Sequence, residues 1–95
     1  MIEMFIPDSA FQPGGLFEGQ NPAKVSVVAS ESFPATEVRE RYVIKKNPLV
    51  LDDTKFESQF RASREIICYY VAIGAAVVRH NGTALTPQEI RDFHF

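Results

Sequence analysis

Ile66-Ile67-Cys68-Tyr69-Tyr70-Val71-Ala72-Ile73-Gly74-Ala75-Ala76-Val77-Val78 is the longest apolar run of the chain. A helix of that length rises about 20 Å, short of the roughly 30 Å hydrocarbon core of a bilayer, so the run reads as the core element of a folded domain. Upstream, Thr54 is followed three residues later by Glu57, the pattern of a capping box. Downstream, Arg79 and His80 suit the negative end of a helix dipole, and Asn81-Gly82 suits a left-handed cap. These signals together predict one long helix over about 55–80.

At 100° per residue, Ile66, Tyr70, Ile73 and Val77 fall in one sector of that helix, with Phe56, Phe60, Ile67, Val71 and Val78 beside it. This broad stripe is expected to lie on a sheet. The opposite sector holds small residues, Cys68, Ala72, Ala75 and Ala76, with Tyr69 at its margin. Small side chains let another helix approach closely, so this face is expected to pack against another subunit or a partner. Alanine as a mere helix former, or a cover supplied by the chain's own loop or final helix, are the competing readings.

After Asn81-Gly82 a second capping box, Thr86 with Glu89, has Pro87 at the first helical position. Leu85 and Ile90 stand where a hydrophobic staple joins, so a short C-terminal helix is expected over 87–93. Toward the N-terminus, Ile2, Met4 and Ile6 alternate as in a strand that Pro7 ends. Residues 8–23 carry Pro13, Gly14, Gly15, Gly19, Asn21 and Pro22, the chemistry of a long loop. Val25, Val27 and Ala29 mark a second strand, and Glu37 to Lys45 a third, with Val38, Tyr42 and Ile44 on one face. Leu49-Val50-Leu51 is a short further strand. The fold class is α+β: a small, mostly antiparallel sheet of three or four strands packed on the long helix, in a single domain over 1–95.

The chain has 95 residues, 45% hydrophobic and 23% charged, with a formal charge of −2 and a pI near 5.6. That balance argues against a strongly basic nucleic-acid binder and against a disordered acidic tail. The opening Met1-Ile2-Glu3-Met4-Phe5-Ile6-Pro7 lacks the positive start and apolar core of a secretory signal, so a cytoplasmic or virion protein is expected. One cysteine gives no internal disulfide and no multi-cysteine zinc site. Cys68 reads as a structural thiol, and His80 and His94 have no spacing that builds a metal centre. The glycines of 14–19 lack the Lys-Ser/Thr of a phosphate loop, and no serine sits in a Gly-x-Ser-x-Gly setting. No catalysis, no cofactor and no small-molecule substrate is expected.

Phe11, Phe17 and Phe33 lie in Gly- and Pro-bearing segments, where exposed aromatics would anchor an interface. Arg39, Arg41 and Lys45 share one strand face, which is either a contact for phosphate or an acidic partner or a solvated face protected by its charge. The apolar helix, Val78-Arg79-His80-Asn81-Gly82, then Leu85-Thr86 and Glu89-Ile90, resembles the helix–Asn/Asp-Gly–Leu-Thr–Glu pattern of some phage tail assembly chaperones. Those proteins usually continue with another helix, and no residue role is carried over. The expected function is a non-catalytic protein–protein interaction or assembly subunit of phage or viral origin, binding copies of itself or another protein through Cys68, Ala72, Ala75, Ala76, Phe11, Phe17 and Phe33. The alternatives are a nucleic-acid-associated or regulatory protein using the basic strand face, and a tail assembly chaperone-like protein.

Overall fold

The computed structural model describes residues 1–28, 43–46, 49–51 and 53–94. The architecture is α+β. The alternation of Ile2 and Met4 with Glu3 and Phe5 forms β1 (Ile2–Phe5), whose first set is fully buried. It is the second strand of a four-stranded antiparallel sheet ordered β4-β1-β5-β6, with β4 at Leu49–Leu51, β5 at Val77–His80 and β6 at Thr83–Ala84. Ile2 pairs with Leu51 on one side and His80 on the other. A separate two-stranded ribbon joins β2 (Ser26–Val28) to β3 (Val43–Lys45). Ile6 N–H donates to the Lys45 carbonyl at 2.9 Å, which links β1 to that ribbon.

Helix α1 (Asp53–Ala72) lays Phe60, Ser63, Ile66, Ile67 and Cys68 inward. They meet Ile2, Met4 and Val78 from the sheet, Val27 and Ile44 from the ribbon, and Ile90 from the last helix in one core. Each large side chain fully withdrawn from water contributes about 1.5–3 kcal/mol, so this contact carries most of the stabilisation. The final helix, α2 (Pro87–Asp92), starts as its sequence dictates. Glu89 N–H donates to Thr86 Oγ1 at 3.1 Å and Thr86 N–H to Glu89 Oε1 at 3.0 Å. Leu85 and Ile90 both pack on the core.

The long helix is shorter than its sequence pattern implies. It ends at Ala72 rather than near His80. Gly74, at φ +76°, takes the left-handed position after the helix. Its N–H donates to the Val71 carbonyl at 3.1 Å, and Ala75 N–H reaches the Tyr70 carbonyl at 2.8 Å. That pair of bonds is a Schellman motif, which satisfies carbonyls that the helix leaves open. Val77 and Val78 then pair with Phe5 and Met4 as strand. Asn81-Gly82, with φ of 49° and 83°, is the hairpin turn between β5 and β6 and not a helix cap. Thr54 lies inside the first turn of α1, since the helix already includes Asp53. The likeness to tail assembly chaperones therefore loses its helix before Asn81-Gly82.

Residues 8–24 form a compact, internally bonded excursion. Two short 3-10 turns, Asp8–Phe11 and Pro22–Lys24, flank it. Phe17 N–H donates to the Ala10 carbonyl at 2.8 Å, and the rings of Phe11 and Phe17 lie 5.8 Å apart, half-buried on the core. Gly15 sits against the Ser9 and Ala10 carbonyls, where a Cβ has no room.

Candidate functional site

The small-residue face expected on a continuous helix is not assembled. Ala75 and Ala76 follow the helix in the Gly74 turn and are buried by the chain itself. Cys68 is buried beneath α2, its Sγ 3.5 Å from the Pro87 carbonyl. Burial pushes its thiol above the usual value, with the charge of Arg91 acting partly against that. Ala72 alone of the four is exposed. Phe11 and Phe17 pack back on their own domain and do not project as anchors. Phe33, Arg39 and Arg41 lie outside the described residues. Lys45 is exposed at the end of β3.

What the structure does place on the outside of α1 is a stripe four residues apart. Glu57 and Arg61 begin it with an ion pair of 2.7 Å. Glu65 continues it, and Tyr69 and Ile73 close it, 50% and 45% exposed. Ala72, three residues after Tyr69, is exposed beside them. The stripe thus turns from charged to apolar along its length. Ile73, expected in the core, faces out because the helix stops one residue earlier and the chain turns at Gly74. Tyr69 is ordered by an edge-on contact with Tyr70, ring centres 5.5 Å apart. An aromatic side chain already held in place loses little freedom when a partner covers it. The signal that marks this patch in the sequence is the Glu57-Arg61-Glu65-Tyr69 spacing read together with Gly74 as a terminator.

A second feature involves the β2–β3 ribbon. A cleft of about 370 Å³ opens between the Pro22–Lys24 turn and β3, lined by Asn21, Pro22, Ala23, Val25, Lys45 and Lys46. Asn21 Oδ1 accepts from Ala23 N–H at 3.0 Å. Lys46 makes an exposed ion pair with Asp8 at 3.1 Å.

Among the described residues no three His, Cys, Asp or Glu side chains converge as metal ligands, and no helix is long and apolar enough to cross a membrane. Comparison of the chain with protein-family models, with curated proteins and with solved structures finds no match.

Proposed function

We propose that this chain is a non-catalytic assembly subunit that associates with a second copy of itself through the C-terminal end of α1. The observation that supports this is the exposure of Tyr69 and Ile73, one turn apart, and of Ala72 beside them, at the end of a stripe that begins with Glu57, Arg61 and Glu65. Isolated apolar side chains on a surface need no explanation, whereas two that are one turn apart with a small residue beside them form a patch. Two such helix ends crossing at Ala72 bring Tyr69 of each onto Ile73 of the other, an isologous contact in which one patch serves both subunits. A patch of this size predicts weak association, in the range of small transient interfaces.

Sedimentation equilibrium of the full chain over a wide concentration range tests the reading. The expected result is a reversible dimer that Ile73→Glu dissociates while the helical circular dichroism stays unchanged. A monomer at every concentration, or a dimer indifferent to both Ile73→Glu and Tyr69→Ser, overturns it.

A further inference from the structure

We propose that the cleft between the Pro22–Lys24 turn and β3 binds the phosphate group of a small organic phosphate. This inference is independent of the self-association above, since it uses different residues. Among the described residues, the polar ones that line the cleft are Asn21, Lys45 and Lys46. Lys45 is exposed, with no ion-pair partner among the described residues, so its ammonium is held by no carboxylate there. Lys46 is engaged only by Asp8, with both side chains well exposed, a pairing that a bound anion can share at little cost. Asn21 has its carbonyl end committed to Ala23 N–H, which leaves the amide nitrogen as its outward group. The described polar groups at the cleft are thus two ammonium groups and a carboxamide, with the Asp8 carboxylate 3.1 Å from Lys46 Nζ. That set is matched by a group with several anionic acceptor oxygens.

The cleft stands out locally on a chain whose net charge is −2, so a general attraction of the whole molecule for anions does not account for it. Its remaining wall is apolar. Pro22 and Val25 are half-buried there, beside Ala23. A volume of about 370 Å³ exceeds what bare phosphate fills and leaves room for a small organic portion against that wall. The chemistry thus specifies a phosphate monoester whose organic part is compact and at least partly apolar.

Amide NMR titration of the intact chain at neutral pH and constant ionic strength tests this, with inorganic phosphate, phenyl phosphate and acetate as probes. Saturable shifts are expected for the amides of Ala23, Val25, Lys45 and Lys46. Phenyl phosphate is expected to bind more tightly than inorganic phosphate, and both more tightly than acetate. Lys45→Gln and Lys46→Gln are each expected to weaken phenyl phosphate binding about three- to five-fold, whereas Lys24→Gln, which removes a nearby charge outside the cleft, leaves it unchanged. Absence of saturation overturns the proposal. So do acetate binding as tight as phosphate, and a loss in Lys24→Gln equal to that in the cleft variants.

Discussion

Arg64, on the flank of α1, donates from Nη2 to the carbonyl oxygen of Phe93 at 3.0 Å. A second donation, from Nη1, goes to the Arg91 carbonyl. The guanidinium therefore caps the open C-terminal carbonyls of α2 from another element, and it lies 5.1 Å from the centre of the Phe60 ring. Phe93 in turn packs edge-on against His80, ring centres 4.8 Å apart, so Arg64 ties α2 to the long helix and Phe93 ties it to the sheet. Arg64→Met keeps the aliphatic stem and removes the donors. It is expected to lower stability by about 1–2 kcal/mol and to speed hydrogen exchange at the Ile90 and Phe93 amides. Unchanged exchange at both amides would show that α2 is held without it.

Two glycines separate backbone strain from steric clash. Gly74 needs its positive φ, but a Cβ there meets nothing within 4 Å. Gly74→Ala is expected to cost about 1–2 kcal/mol, the left-handed penalty alone. At Gly15 a Cβ would lie 2.5 Å from the Ala10 carbonyl carbon and 2.6 Å from the Ser9 oxygen. Both are main-chain atoms, and the Ala10 carbonyl also accepts from Phe17. Gly15→Ala is therefore expected to be the more damaging, by more than about 2 kcal/mol. Urea unfolding of the two variants should rank them in that order.

Ser63 is fully buried on the inner face of α1, and its Oγ has no hydrogen-bond partner among the described residues. A buried hydroxyl without a partner opposes folding. Ser63→Ala is expected to leave stability unchanged or raise it by about 1 kcal/mol, as read from the unfolding midpoint in urea. A marked loss of stability would mean that the hydroxyl is bonded in solution.

The Cys68 thiol has a folded pKa above the ordinary 9.0, chiefly because its burial disfavours the thiolate. Above that ordinary value the unfolded chain sheds a proton that the native chain retains. This contribution to stability is complete below about pH 9 and declines as the pH rises further. Cys68→Ala is expected to remove that alkaline component while creating a small cavity. A second readout is alkylation by iodoacetamide, which should be slow in the native state and accelerate with urea. Fast alkylation of the native protein would contradict the burial.

Features set by near neighbours in the chain were readable from residue types. The Thr86–Glu89 box with Pro87, Leu85 and Ile90 is a local device, and its chemistry acts within one turn. The alternation of Ile2 and Met4, and the inward set Phe60, Ile66 and Ile67, also followed from period alone. The end of α1 did not. A glycine inside an apolar run is compatible with a helix, Val77-Val78 fits either period, and Asn81-Gly82 serves a helix cap and a hairpin equally well. What decides among them is pairing with Met4 and Phe5, more than seventy residues away, a contact that no window along the chain contains. The exposed patch escapes the sequence pattern for the same reason. Once the helix is shortened, Ile73 leaves the core and Ala75 and Ala76 enter it.

The position of β1 between β4 and β5 has a consequence for biosynthesis. Its Ile2 stands opposite Leu51 and His80, so β1 acquires its second neighbour only after β5, more than seventy residues downstream, has left the ribosome. Until then the nascent chain carries Ile2, Met4 and Ile6 without the sheet that shelters them, a state open to aggregation and suited to chaperone capture.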